Sequence, residues 1–293
     1  MNLALTVLNI AAPVFMLAAV GFVWVRLGFE YRVEFVTRLA MTLSVPCLIF
    51  VALMRSDVAP EALATLSLAT FAAYGLVAVM CLALVLLGRL HVPTYLAPLI
   101  FGNTGNLGLP LALFAFGDIG LDYAVVVFAV MAILSFTIGV WLVSGGGSLI
   151  KVVKEPMVAA TLLGALFLWQ GWKTPEVLTN ALDLIGQMAI PMMLITLGVA
   201  VARLETKAMT QAVILSILKA AICAGAAWWV ARFFALDPVA SAVLIVQVST
   251  PVAVTSYMLA EKYGADAQPV AGLVVASTVL SVITLPLILA FVI

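Results

Sequence analysis

Phe101-Gly102-Asn103-Thr104-Gly105-Asn106-Leu107-Gly108-Leu109-Pro110 sets two amides, three glycines and a proline between strongly apolar flanks. Hydrocarbon offers a backbone no hydrogen-bond partner. A helix broken at membrane depth is therefore tolerated only where protein or a water-filled cavity satisfies the freed groups. The run predicts a broken helix beside a pathway, and the rest of the chain must supply the membrane context and the other wall.

The context follows from composition. The chain has 293 residues, 66% of them apolar and only 9% charged, against roughly 25% charged in soluble domains; its mean hydropathy is +1.29. These values indicate a polytopic membrane protein. A spanning helix takes about 20 residues, so ten spans with short loops use nearly the whole sequence and leave no room for a soluble domain. Formal net charge is zero and no run of like charge occurs, which argues against nucleic acid as a partner. Cys47, Cys81 and Cys223 stand in apolar segments without paired spacing, and His91 is the only histidine. Neither a disulfide, a metal site nor a nucleophile-base pair is expected, so the chain does not read as an enzyme. The first positive charge, Arg26, follows the first apolar run, which favours a retained helix over a cleaved signal peptide.

Hydropathy predicts spans at 3–25, 35–54, 62–88, 94–116, 121–144, 156–172, 178–202, 208–233, 238–260 and 268–292. With that count, one face of the membrane carries Arg26, Arg32, Arg38, Arg89, Lys151, Lys154, Arg203, Lys207 and Lys262, and the other only Arg55, Lys173 and Arg232. Basic loops stay cytoplasmic, so both termini are expected outside the cytoplasm, and a bacterial inner membrane is the expected location. Gly145-Gly146-Gly147-Ser148 reads as a linker between two five-span halves, 1–148 and 149–293. The halves resemble each other. Leu43-Ser44-Val45-Pro46-Cys47-Leu48-Ile49 aligns with Met188-Ala189-Ile190-Pro191-Met192-Met193-Leu194, Ile133-Leu134-Ser135 with Val279-Leu280-Ser281, and Gly117 with Gly264, at offsets of 145 to 147. Five is odd, so the second copy must be inverted in the membrane, the layout of alternating-access carriers.

That repeat demands a counterpart to the first break, and Gln247-Val248-Ser249-Thr250-Pro251-Val252-Ala253-Val254-Thr255-Ser256 supplies one. Two broken helices crossing near the midplane would offer N–H groups to an anion and C=O groups to a cation or donor. The candidate substrate-binding residues are Asn103, Gly105, Asn106 and Pro110 from the first break and Gln247, Ser249, Thr250, Pro251 and Thr255 from the second. Asn103 and Asn106 are three apart, so both amides can face one cavity. The alternative is that these side chains only satisfy opened backbone. Pro46 and Pro191 read as kinks or hinges. Lys219 lies twelve residues past Lys207, roughly 18 Å into its span at about 1.5 Å per residue. So deep an ammonium is expected to hold a substrate carboxylate, exchange a proton or replace a coupling cation, or else to pair with helix-end carbonyls. Asp183 reads as an interfacial charge.

The Asn103-x-x-Asn106-x-Gly108-x-Pro110 pattern, the break at Pro251 with Tyr263-Gly264-Ala265-Asp266 beyond it, and the five-plus-five layout resemble the auxin efflux carrier family. That family includes bacterial permeases and the plant PIN proteins and is related in fold to bile-acid sodium symporters. The resemblance implies an all-α protein of ten spans in two inverted repeats with crossed broken helices 4 and 9. It implies a scaffold of spans 1, 2, 6 and 7, a transport domain of spans 3–5 and 8–10, and a homodimer in the bilayer. It also implies secondary transport of small organic anions, carboxylates or auxin-like indole acids, by elevator-type alternating access. No cofactor is expected; protons or membrane potential are the expected drive. Neither break holds a carboxylate, which makes sodium the less favoured ion. A sodium-coupled symporter of the bile-acid type remains the alternative within transport, and a ligand-gated channel or membrane receptor the alternative outside it.

Overall fold

A computed structural model describes residues 3–56, 58–144, 156–203 and 209–293. The linker at 145–148 and the side chains of Lys151, Lys154 and Lys207 lie outside the described residues. Among the described residues the secondary structure is helical. The helices are α1 Leu3–Arg26, α2 Val33–Leu39, α3 Val45–Arg55, α4 Pro60–Leu87, α5 Val92–Ile100, α6 Leu109–Leu134, α7 Val140–Ser144, α8 Pro156–Gln170, α9 Glu176–Gln187, α10 Ala189–Arg203, α11 Met209–Phe233, α12 Pro238–Val248, α13 Val254–Tyr263 and α14 Ala267–Val292. Wider π-helical turns at Ala40–Ser44, Thr104–Gly108 and Ser135–Gly139 join α2 to α3, lead into α6 and join α6 to α7.

Helix starts follow local chemistry. Pro60 and Pro238 occupy first turns, where a missing N–H costs nothing. The Asp237 carboxylate accepts from the Val239 and Ala240 amides, and Asp266 accepts from Gln268, so two starts are capped by side chains. Gly264, with φ 76 and ψ 19, closes α13 in the left-handed conformation that spares glycine a Cβ clash.

Among the described residues, six helical stretches are long and apolar enough to cross a membrane: Val33–Arg55, Glu61–Leu87, Thr104–Ser144, Glu176–Arg203, Met209–Phe233 and Ala267–Val292. Hydropathy predicts ten. Part of the difference lies at α12, which stops at Val248, before the second break; α1 runs over Leu3–Arg26 and α8 over Pro156–Gln170, and both are apolar. Another part lies in Thr104–Ser144, whose 41 residues would reach roughly 60 Å if straight, about twice the hydrocarbon thickness. Gly117, at φ 66 and ψ −154, bends it.

Large apolar side chains face outward along these helices; Val79 is 66% exposed, Leu162 66% and Leu287 64%. Such an apolar exterior fits lipid rather than water. At the end of α11 the Arg232 guanidinium lies 5.8 Å from the Trp228 ring centre, an amphipathic pair suited to the headgroup region. Inside, α1 packs most extensively on α10, and α3 on α8 and α9. A second group packs α11 on α14, α12 and α4, with α6 against α12 and α4. Its core includes fully buried Leu66, Val77, Leu99, Val125, Val127, Val243 and Val248. A smaller cluster of Leu107, Leu111, Leu194, Leu197, Val246, Leu285 and Leu289 ties the first break to α10 and α14. Pro46 and Pro191 both sit near helix starts, at the second position of α3 after a π turn and the third of α10. Asp183 pairs with Arg55 at 3.0 Å, both partly exposed, a contact worth about 0–1 kcal/mol.

Candidate functional site

The two breaks meet. Gly102 and Val252 form an antiparallel backbone bridge, and the Asn103 N–H donates to the Pro251 carbonyl at 2.7 Å. The approach needs glycine: a Cβ on Gly102 would collide with the Thr250 hydroxyl, and one on Gly108 with the Gln247 side-chain oxygen. Each break thus satisfies part of the other's opened backbone, which is what apolar surroundings demand.

Beyond the contact the two sides diverge. At the first break the Asn103 side-chain oxygen accepts from the Asn106 amide at 3.3 Å, while its carbonyl accepts from Leu107 at 3.1 Å and Gly108 at 3.2 Å. Asn103 is 5% exposed, yet its side-chain NH2 has no partner among the described residues. A buried amide left unmatched costs about 1–3 kcal/mol, and the Thr104 hydroxyl of the same break is unmatched among the described residues as well. Asn103, Gly105 and Asn106 line one recess with Phe128, Ser135 and Thr255, a space of about 50 Å³. A second space of about 30 Å³ adjoins it, sharing Asn106, Met41, Val254 and Thr255 and reaching Met193 and Thr196 on α10. The recess therefore lies where the breaks meet α10 and the π turn of Ala40–Ser44. Two helix starts border it, Thr104–Gly108 running into α6 and Val254 opening α13. Helix N-termini carry positive partial charge, so the recess favours an anion even though the Asn106, Leu107 and Gly108 N–H groups are already taken by Asn103. None of its lining side chains is ionisable.

The second break is built from C=O groups and hydroxyls. The Lys219 ammonium donates to the Thr250 carbonyl at 2.9 Å. The Thr250 hydroxyl donates to the Gln247 carbonyl at 2.7 Å, and the Val252 N–H donates to the Ser277 hydroxyl at 3.0 Å. Lys219, Ser249, Thr250 and Pro251 line a separate small space of about 10 Å³ with Ser277 and Ser281.

The residues singled out in the sequence therefore fall into three places. Asn103, Gly105, Asn106 and Thr255 share the first recess; Lys219, Ser249, Thr250 and Pro251 share the second; Pro110 and Gln247 are buried in the packing. Pro110 begins α6 without loss of a bond. Gln247 is fully buried, donates weakly to the Ala124 carbonyl at 3.4 Å and leaves its side-chain oxygen unmatched beside Gly108. Thr250 intervenes between the lysine and the first break.

Sequence reasoning missed Ser277, Phe128, Met41 and Thr196. Ser277 and Thr196 look like ordinary helical hydroxyls, and both do bond to a preceding turn, at 3.3 Å to Val274 and 2.7 Å to Met192. Thr196 also meets the Tyr31 hydroxyl at 2.7 Å, and the Arg203 guanidinium donates to the Tyr31 carbonyl at 2.6 Å. The loop after α1 is pinned beside the recess. Burial raises the Tyr31 phenol above its ordinary pKa, with the Thr196 bond acting in the opposite direction; it stays neutral at pH 7. For Ser277 the one available signal was its offset of 146 from Met131, inside the aligned repeat.

Comparison with known proteins adds an independent line. A family model described as membrane transport protein matches residues 140–289, which include the second break but not the first. An uncharacterized transporter of Methanocaldococcus jannaschii is 26% identical over 199 residues, 64% of each chain. An uncharacterized transporter of Methanothermobacter thermautotrophicus is 29% identical over 191 residues, 63% of each chain. The matched part is just under two thirds of the length of these relatives.

Proposed function

The chain belongs to the membrane transport protein family, the auxin efflux carrier family that its sequence resembles, and from that premise we propose that it is a secondary carrier of small organic anions. The family is one of integral membrane transporters rather than enzymes. One observation carries the substrate class: Asn103, whose buried NH2 is unmatched among the described residues, lines with Asn106 a recess bordered by two helix starts, where none of the described lining side chains is ionisable. A carboxylate supplies the missing acceptor and carries the charge that helix N-termini favour. Monocarboxylates, dicarboxylates and auxin-like indole acids fit this chemistry. Asn103 and Asn106 orient the carboxylate, Gly105 keeps the approach open, and Thr255 adds a hydroxyl from the second break.

Size and position support elevator-type alternating access. The recess holds about 50 Å³, room for only a few water molecules, whereas ligand pockets span roughly 300–1,000 Å³. It must widen to admit a substrate, and it lies at the boundary between two packing groups. Helices α1, α3, α8 and α10 pair among themselves, while α4, α6, α11, α12 and α14 form the other body. We assign the first group to a scaffold and the second to a moving crossover domain. Ten spans in two inverted halves, 1–148 and 149–293, account for the pairings: α1 on α10 and α3 on α8 exchange when the halves are exchanged. Gly117 and Gly264 both have positive φ, at 66 and 76. Asn103, Gly105, Met131 and Ser135 of the first recess lie 146 residues before Ser249, Pro251, Ser277 and Ser281 of the second. The proposal extends to external termini in a bacterial inner membrane, a homodimer, and drive by membrane potential or protons.

The test is uptake of labelled carboxylates into proteoliposomes by wild type, Asn103→Ala and Asn106→Ala. The expected result is saturable uptake that falls at least tenfold in Asn103→Ala. Equal uptake in all three proteins removes the amide recess from the pathway, and linear uptake without saturation favours a channel.

A further inference from the structure

The second recess has its own chemistry. Lys219 on α11 is 2% exposed, and its ammonium donates to the Thr250 carbonyl at 2.9 Å with the Cys223 sulfur at 3.8 Å. Ser216, Ser249, Ser277, Ser281 and Thr284 border the same space, together with the apolar Ala220, Pro251 and Leu280. The Ser249 hydroxyl is buried there without a partner. No lining side chain is a carboxylate, and the ion pairs found among the described residues do not include Lys219. Its counter-charge is the C-terminal end of α12, which stops at Val248 and leaves the Thr250 carbonyl to the break. Helix C-termini carry negative partial charge, and carbonyl and hydroxyl oxygens are the ligands hard cations prefer. Such a recess favours a positive charge.

The related recess of the first half sharpens the point. Positions 103, 105, 131 and 135 line a space of about 50 Å³, and their counterparts 146 residues on line one of about 10 Å³. The residue 146 positions before Lys219 is Ala73, fully buried and uncharged. One half keeps an open recess bordered by helix starts; the other has its recess filled by a side chain.

We propose that the second recess is a small-cation site neutralised by the protein's own ammonium, with Lys219 held on the Thr250 carbonyl where a free monovalent cation would otherwise enter the space that Ser249, Ser277 and Ser281 line. The consequence is that this site needs no sodium. The inference is independent of what the first recess binds. Removing the side chain to Cβ leaves an oxygen-lined space with negative helix-end potential, which sodium, potassium or ammonium can enter.

The experiment is thermal unfolding of the purified full chain, wild type and Lys219→Ala, in choline, sodium, potassium and ammonium chloride at one ionic strength. Wild type is expected to unfold at the same temperature in all four. Lys219→Ala is expected to lose roughly 5 °C in choline and to regain at least half of it, saturably, in one of the small cations. A second variant, Lys219→Ser, adds a hydroxyl ligand and is expected to show the same rescue at lower cation concentration. Variants that are equally unstable in all four salts, or that fold in none, overturn the proposal. So does saturable stabilisation of wild type by sodium over choline. These outcomes are separate from anion transport, which the proteoliposome assay reads.

Discussion

The two breaks are the same piece of architecture put to opposite uses. Each interrupts an apolar helix, and each lends backbone groups to the other through the Gly102–Val252 bridge. The first is bordered by helix starts and leaves a buried NH2 unmatched at Asn103. The second has its helix-end carbonyl matched by Lys219 and its Val252 N–H matched by Ser277. The second also leaves the Ser249 hydroxyl and the Gln247 side-chain oxygen unmatched among the described residues, so what separates the two is charge. The helix-end carbonyl of the second is met by Lys219, while the helix starts of the first are met by no described side-chain charge, which is why we propose the first as the ligand's place. Substitutions at the first break should therefore change transport more than stability, and those at the second the reverse.

The contact shared by both is the most sensitive point. Gly102→Val places side-chain carbon into the Thr250 hydroxyl and carbonyl, an overpacking that costs about 1–3 kcal/mol or more. Loss of the monodisperse peak in size-exclusion chromatography is the expected outcome; a well-folded variant would mean that the breaks do not meet so closely. Next comes Asn103→Ala, expected to lower transport efficiency about 10- to 100-fold, as loss of a hydrogen bond to a charged ligand does, while unfolding within a few degrees of wild type. On the other side, Ser277→Ala strips the Val252 N–H of its acceptor. An unsatisfied buried amide costs about 1–3 kcal/mol, so its unfolding temperature should drop by roughly 2–6 °C, read by differential scanning fluorimetry, with substrate KM changed less than twofold. The smallest contrast is between equivalent serines: Ser135→Ala should change KM a few-fold and Ser281→Ala should not. Equal effects from the pair would erase the distinction between the recesses.

Much of this was legible in the sequence because membrane depth makes polar residues conspicuous. Gly102 to Pro110 stands out against its flanks, and the repeat then locates the second break, since an interrupted helix leaves Pro251 and its hydroxyls in an otherwise apolar run. Lys219 was visible for the same reason, but which way it pointed was not. A lysine stem is long enough to serve either side of the crossing, and only the fold directs it to the Thr250 carbonyl. The π turns at Ala40–Ser44 and Ser135–Gly139 left no mark, because a single wider turn changes no hydropathy period. Long-range partners such as Ser277 to Val252 and Tyr31 to Thr196 depend on packing between distant helices. Pro46 and Pro191 read as kinks, and each lies just past an irregular turn, the π turn of Ala40–Ser44 and the α9–α10 junction at Met188, inside the helical stretches Val33–Arg55 and Glu176–Arg203.

The central claim is that the first break binds the anion. Counterflow measures it most directly: proteoliposomes loaded with unlabelled carboxylate are diluted into a trace of labelled carboxylate, for wild type and Asn103→Ala. The account predicts a transient overshoot of label in wild type that is at least tenfold smaller in the variant. An overshoot of equal size in both proteins would contradict it.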